Sequence, residues 1–333
     1  MFRLSLSSFA FALISGLAAT ALASPWTLPR HAISLSIGGD MQTASEEFRQ
    51  SSERVSYPVD GSYFSSNLRA GVRYGLSDRT EVSANLVLTY RSFQADEMYF
   101  GPVLNPDVGV DPPDNDAQIR ANILSIDREA FGIGDIRLAL RHRFTPLHAT
   151  VWAVEIEVKM PTGYPAPEGV FNDDDITAGV ADDVTLGDAQ TDITTRLLFG
   201  AVPARDFFIR ADAGFRVRLF GPGHQVVGSF KTGYRIGGAL LPYVWSDAEH
   251  SVTDGSVIGT TFLFADPDLE AEDATIDDLV GRDITLDHSL VRAGAGAIIS
   301  FGDRDVDFGY GITVWGKNTG RIHTFSIGTN FAL

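Results

Sequence analysis

The chain has no cysteine among its 333 residues, and beyond its N-terminal residues it has no apolar run as long as a membrane-spanning helix needs. The first absence excludes disulfide bonds, thiol catalysis and cysteine metal sites. The second argues against helical membrane spans, which require about 20 mostly apolar residues. Strands that cross a membrane escape this limit, because every second residue of such a strand faces a lumen and can be polar.

The N-terminal residues have the three parts of a secretory signal peptide. Arg3 supplies a positive charge, residues 9–17 form a short apolar stretch, and a small-residue cleavage site ends at Ala23. The apolar stretch is shorter than the ~20 residues of a spanning helix. We therefore predict a signal peptide over residues 1–23. Residues 24–333 are predicted to form one domain, because no linker interrupts them.

The formal net charge of −17 is unevenly distributed along the chain. Of the 43 acidic residues, 25 fall in the stretches 94–132, 162–187 and 247–283, which hold only three basic residues. The remainder of the chain is mildly basic, and no exposed basic stripe is left over. A nucleic-acid partner is therefore not expected.

Alternation of apolar and polar residues identifies the strands. In the stretch 133–161, Leu138 and Leu140 alternate with Arg137 and Arg141, and a similar run follows a short break. Such period-two alternation in two consecutive runs predicts an antiparallel hairpin with one apolar and one polar face. The whole chain has about twelve such strands, at roughly 31–42, 62–76, 79–93, 133–144, 149–161, 187–202, 207–220, 225–237, 238–247, 286–302, 305–317 and 321–333.

The predicted connections between these strands alternate in length. Short turns rich in glycine, proline and aspartate alternate with long connections, of which the longest span 43–61, 94–132, 162–186 and 248–285. Short turns on one side and long loops on the other are typical of outer-membrane barrels. We therefore predict an all-β fold, a transmembrane antiparallel up-and-down β-barrel of about 12 strands in the cell outer membrane. A soluble periplasmic β-sandwich is the alternative that strand alternation alone leaves open.

The last predicted strand runs to the C-terminus. Phe325, Ile327, Phe331 and Leu333 alternate there with polar or small residues. Bacterial outer-membrane proteins typically end in such a strand with a terminal aromatic residue, whereas the last aromatic residue here stands two positions before the end. We expect contact with outer-membrane lipid and lipopolysaccharide, and recognition of this strand by the outer-membrane assembly machinery.

Short motifs spread along the mature chain resemble those of a known family. They are Pro25-Trp26-Thr27-Leu28-Pro29, Tyr74-Gly75-Leu76-Ser77-Asp78-Arg79-Thr80-Glu81, Gly132-Ile133-Gly134-Asp135, Lys159-Met160-Pro161-Thr162-Gly163, Leu186-Gly187-Asp188 and Gly316-Lys317-Asn318-Thr319. In this order they resemble the outer-membrane β-barrels of the meta-pathway phenol-degradation-like or transporter family. The resemblance implies a barrel that transports small molecules, aromatic ones included. It supplies no catalytic or ligand residues and no substrate.

Charged residues on the polar faces of the strands are predicted to point into a lumen, because Arg or Lys on the lipid face costs about 2–4 kcal/mol at the membrane midplane. The predicted lumenal and selectivity residues are Arg69, Arg73, Arg91, Arg137, Arg141, Arg143, Glu155, Glu157, Lys159, Arg196, Arg210, Asp212, Arg216, Arg218 and Arg235, with Lys231 and Arg292 on the same face. Arginine binds carboxylates and stacks on rings, which favours a passive channel for small aromatic or anionic solutes. The alternative is a set of cross-strand ion pairs that stiffen a non-conducting structural or adhesive barrel with acidic extracellular loops.

No enzymatic or cofactor site is predicted. Asp173, Asp174 and Asp175 could attract a divalent cation, but their spacing does not match a calcium loop, and a solvated acidic loop explains them better. The chain has no Gly-x-Ser-x-Gly nucleophile motif and no clustered metal-ligand spacing. We therefore expect a protein that is not an enzyme and that holds no cofactor and no metal.

Overall fold

The computed structural model describes residues 24–57, 60–94, 98–99, 123–124, 128–147, 149–164, 186–264, 279–301 and 304–332. The predicted signal peptide lies outside these residues, as do Asp173, Asp174 and Asp175. No helix in the described part of the chain is long and apolar enough to cross a membrane.

Twelve long strands close into a single antiparallel barrel, as the strand alternation predicts. Every strand pairs with its neighbours in the sequence, and the first strand also pairs with the last. The strands are β1 (Ile33–Ala44), β2 (Ser62–Ser77), β3 (Thr80–Gln94), β4 (Ile136–Arg143), β5 (Thr150–Met160), β6 (Asp192–Ala204), β7 (Phe207–Arg218), β8 (Gln225–Tyr234), β9 (Leu240–Ser251), β10 (Ser289–Phe301), β11 (Arg304–Lys317) and β12 (His323–Ala332).

Shorter strands extend the barrel at the end that carries the long loops. Arg128–Ile133 continues β4 along β3 after a break at Gly134 and Asp135. The predicted strand at 133–144 is therefore interrupted where the backbone N–H of Gly134 donates to the carbonyl of Val87, 2.8 Å away. The remaining short strands are Glu46–Phe48, Arg54–Ser56 and Thr319–Gly320, which form one sheet, the pair Val257–Phe264 and Leu279–Thr285, and the pair Met98–Tyr99 and Ile123–Leu124.

The two faces of the barrel wall have opposite chemistry. Along β4, Leu138 and Leu140 are exposed on the outside, whereas Arg141 and Arg143 are buried inside. The same inversion holds around the barrel: among the described residues, 35 large apolar side chains are exposed, and the largest fully buried side chain is that of Arg210. A water-soluble sandwich would bury the apolar face instead. The outer surface thus suits lipid, and the polar face encloses a lumen.

The first described residues also lie inside the barrel. Residues 24–29, which we call the strap, precede β1 and cross the interior at the end where the turns are short. Trp26 and Leu28 are buried there against inward side chains of the wall. Periodicity does not predict this segment, because it forms no strand.

Candidate functional site

Ion pairs that join neighbouring strands occupy the lumen near the short turns. The carboxylate of Glu81 on β3 accepts from Arg73 on β2, at 2.7 and 3.0 Å, and from Arg141 on β4, at 2.6 Å. Arg141 also donates twice to Glu155 on β5, at 2.9 and 2.5 Å. Because antiparallel neighbours put side chains of one face side by side, the alternation that makes these strands also brings the charges together.

The network continues from Glu155 around the wall. Arg196 on β6 lies 3.4 Å from Glu155, 3.7 Å from Glu157 and 3.8 Å from Asp212 on β7. The single positive charge of Arg196 is therefore shared among three carboxylates. These buried pairs cross-link six consecutive strands, β2 to β7, since Arg141 and Arg196 each lie between carboxylates on both adjoining strands.

A second cluster lies toward the long loops. Lys159 at the end of β5 lies 2.8 Å from Asp192, 2.5 Å from Asp188 and 3.6 Å from Asp135. Residues 187–191, which were predicted to start β6, instead form a loop that Asp188 attaches to the wall through Lys159 and Arg218. Burial raises the pKa of Asp188, but the charges of Lys159 and Arg218 outweigh this effect and bring the pKa below its usual value.

The opposite part of the wall holds the third group of charges. Lys231 on β8 is buried 3.7 Å from Asp307 on β11, and it lies 3.5 Å from the ring centre of Tyr243. The hydroxyl of Tyr243 donates to Asp307 at 2.5 Å. Arg216 on β7 donates to Glu249 on β9 at 2.8 Å. These side chains also serve mainly to fill the interior and join strands.

Three lumenal arginines differ from all of these in their exposure. The side chains of Arg69, Arg137 and Arg292 are 45, 43 and 35 % exposed, whereas the Arg and Lys side chains of the ion pairs described above are at most 16 % exposed. The three come from β2, β4 and β10. Each pairs with one carboxylate, respectively that of Asp40, that of Glu157 at 3.6 Å and that of Asp247 at 2.8 Å. We call these three residues the arginine triad. They are the cations best placed to meet a solute in the lumen.

Glycines make room for two aromatic side chains beside the triad. A Cβ atom on Gly294 would lie 2.6 Å from the indole of Trp245, and one on Gly296 would collide with Tyr243. Trp245 and Gly294 are direct cross-strand partners, and Arg292 occupies the next inward position of β10. The indole can therefore lie flat against the wall beside a partly exposed guanidinium.

The strap is held by both polar and apolar contacts. The N–H of Leu28 donates to Glu81 at 2.9 Å, and Arg73 donates to the carbonyl of Trp26 at 3.1 Å. Thr27 donates through its hydroxyl to the carbonyl of Asp78 at 3.1 Å. The strap thus binds the same carboxylate that anchors the ion-pair network of the wall.

An apolar cup surrounds Trp26 and Leu28. It consists of inward residues close to the short turns, namely Val151, Phe208, Leu241 and Ile298, with Tyr243 above them. Sequence reasoning missed this contact, although a signal for it was present. The inward positions of a barrel are otherwise mostly polar, and large apolar residues at the first inward positions of several strands indicate an apolar partner inside.

Of the predicted lumenal residues, most lie on the inner face where the alternation predicts them. Arg143 is buried near the short turns, where it donates to the hydroxyl of Thr27 at 3.2 Å and to the carbonyl of Thr145 at 2.7 Å. It supports the strap and the turn. The position of Arg235 differs from the prediction. This residue follows the last residue of β8 and donates to the carbonyl of Gly238 within the turn, at 3.1 Å. The strand ends at Tyr234, three residues before the predicted end at 237, and the turn that follows contains Gly237 and Gly238.

Comparisons with known proteins support the fold. No protein-family model and no curated protein matches the sequence. The COG4313 outer membrane channel from Pseudomonas putida F1 is 10 % identical with a TM-score of 0.62, over 94 % of this chain and 100 % of that one. The translocator domain of autotransporter NalP from Neisseria meningitidis is 12 % identical with a TM-score of 0.42, over 98 % and 97 % of the two chains. The closed barrel and the first of these similarities show the fold of an outer-membrane β-barrel, and the resemblance to the phenol-degradation-like family stays a prediction.

Proposed function

We propose that the protein is an outer-membrane channel for the passive passage of small anionic or aromatic solutes through a charged, arginine-rich lumen. The observation that carries this proposal is the arginine triad. Arg69, Arg137 and Arg292 keep much of their side-chain surface free inside the barrel, whereas the other paired cations of the lumen are buried. A barrel that needed charge only as a scaffold would have no reason to leave three guanidinium groups open to the lumen.

The outer surface supports a location in the outer membrane. Leu140, Ile156 and Phe325 are among the large apolar side chains that the wall exposes, and exposing so much apolar surface to water is unfavourable. Lipid and lipopolysaccharide are the partners that fit this surface. The outward residues of β12, including Ile327, also fit recognition by the assembly machinery.

The chemistry of the triad indicates the class of solute. A guanidinium offers two parallel N–H groups that match a carboxylate, and its flat face stacks on aromatic rings. Trp245 adds an aromatic surface one inward position away from Arg292. A small anion with an aromatic ring could therefore contact both groups as it passes.

A non-conducting structural or adhesive barrel is the second candidate, and specific observations favour it. The strap crosses the interior beside the short turns, and buried ion pairs such as Glu81 with Arg141 fill the wall next to it. In this reading the long acidic loops would make the functional contacts on the cell exterior.

Planar-bilayer recording separates the two candidates. The purified protein would be reconstituted as wild type and as a Trp26→Ala, Leu28→Ala double variant, which loosens the strap. We expect discrete single-channel steps, more frequent in the double variant. If both proteins have the circular dichroism of a folded barrel and neither gives steps, the channel is refuted and the structural barrel is favoured.

A further inference from the structure

We propose that the strap is a tethered gate whose undocking opens the mouth of the barrel at the short-turn end. The inference rests on the proposed channel function and adds to it a means of regulation. It concerns residues 24–29, which no strand pairing incorporates into the wall.

The position of the strap is that of a stopper. Thr27 is 2 % exposed, Leu28 4 % and Trp26 5 %, although all three lie in the interior of a barrel that would otherwise be wet. The wall is shaped to receive them: a Cβ atom on Gly200 would lie 2.5 Å from Cγ of Pro25 and 2.6 Å from Cη2 of Trp26. A methyl group at that position would force the docked strap to shift, since real Cβ atoms do not approach so closely.

The attachments of the strap can be released together. The structure gives the strap polar contacts with Glu81, Arg73, Asp78 and Arg143, and each is a single side chain or carbonyl of the wall. None belongs to a continuous ladder of the kind that joins β1 to β2 over twelve residue pairs. Undocking therefore costs a few hydrogen bonds and the burial of Trp26 and Leu28 in the apolar cup, and it leaves all twelve strands paired.

A hinge connects the strap to the barrel. His31 has a φ of 66°, a left-handed conformation that is uncommon for residues other than glycine. The backbone turns back there, since the N–H of Ala32 donates to the carbonyl of Pro29 at 3.1 Å and the N–H of His31 donates to that of Gly75 at 2.8 Å. β1 begins two residues later, so that rotation about a few bonds moves the strap without moving the wall.

The test uses two variants that weaken the docking of the strap. Gly200→Ala adds a methyl group to the wall where the strap docks, and Trp26→Ala with Leu28→Ala removes apolar side chains of the strap itself. Gly134→Ala is the matched control, because a Cβ there would make only ordinary contacts, the nearest at 3.4 Å. Ser24→Cys reports on docking, since Ser24 is buried and the chain has no other cysteine. Each variant would be combined with Ser24→Cys, labelled with a water-soluble maleimide, and recorded in planar bilayers.

We expect at least 10-fold faster labelling in Gly200→Ala and in the double variant, with a parallel rise in the open probability, and neither change in Gly134→Ala. Tenfold corresponds to a loss of about 1.4 kcal/mol of docking free energy. Faster labelling without a change in current would overturn the gate. Labelling that stays slow in both variants would overturn it too, since the strap would then be a fixed part of the wall. Silence of every protein in the bilayer would instead overturn the channel itself, and the gate with it.

Discussion

Glu81→Gln tests whether the buried ion pairs hold the barrel wall together. Glu81 is 1 % exposed and accepts from Arg73, Arg141 and the N–H of Leu28. Glutamine keeps the shape and one acceptor oxygen but removes the negative charge. Two guanidinium groups on β2 and β4 would then share a space with no carboxylate between them.

The expected loss of stability depends on the partners that Arg73 and Arg141 keep when Glu81 loses its charge. Removing one partner of a buried ion pair typically costs 3–5 kcal/mol, because a buried charge is left without compensation. Arg141 still has Glu155 at 2.5 Å, whereas Arg73 keeps only the carbonyl of Trp26 at 3.1 Å. We therefore expect the lower end of that range, about 3 kcal/mol, most of it from Arg73.

Urea unfolding of the protein in detergent micelles or lipid vesicles, followed by tryptophan fluorescence, measures this loss. Glu53→Gln is the control, because that side chain is exposed in a loop and its substitution removes the same charge. The control should lie within about 0.5 kcal/mol of the wild type. If Glu81→Gln is no less stable than Glu53→Gln, the ion pairs do not support the wall and the reasoning fails.

Three further predictions test which residues of the wall face inward, the attachment of the loop at Asp188 (the anchor), and the position of the Tyr243 ring. A single cysteine at Ala139 should react with a water-soluble maleimide while one at Leu140 should not, and equal reactivity would contradict the inward and outward assignment. Because the pKa of Asp188 is lower in the folded protein than its ordinary value, its carboxylate contributes stability above the ordinary value, and this contribution is lost as pH falls through the lowered one. The protection of residues 186–191 against hydrogen exchange, measured relative to the intrinsic rate at the same pH, should therefore be lost only in strongly acidic solution, and a loss near neutral pH would refute the anchor. Gly296→Ala, whose added methyl group would collide with Tyr243, should cost about 1–3 kcal/mol in urea unfolding, and an unchanged midpoint would show that the ring does not rest there.

Period-two alternation was sufficient to locate the strands and their two faces, because each residue of a strand faces one of two environments, and the alternating lengths of the connections favoured a barrel over a sandwich. Leu138, Leu140 and Arg141 occupy the faces that their spacing indicates, and all twelve strands were located. Strand ends were harder, since they depend on turns and loops. Arg235 was assigned to the lumen although it lies in a turn, and residues 187–191 were assigned to a strand although they form a loop that Asp188 attaches to the wall.

The candidate site needed the three-dimensional structure. Arg69 and Arg73 lie four residues apart on one face of β2, and no sequence signal separates them. Their exposure differs because Arg73 lies between Glu81 and the strap carbonyl of Trp26, whereas Arg69 pairs with Asp40 and keeps 45 % of its side chain exposed. The strap was equally hidden, because a segment without periodicity can be placed only by the cavity that it fills.

The reversal potential under a salt gradient across a planar bilayer is the most direct test of the claim that solutes pass the arginine triad. We would compare the wild type with the variant Arg69→Gln, Arg137→Gln, Arg292→Gln, whose three carboxylate partners remain. Arg205→Gln with Arg235→Gln removes positive charge from the turns and serves as the control. The account predicts an anion-preferring wild type and control, and a shift of the triple variant toward cation preference. An unchanged reversal potential in a conducting triple variant would contradict it.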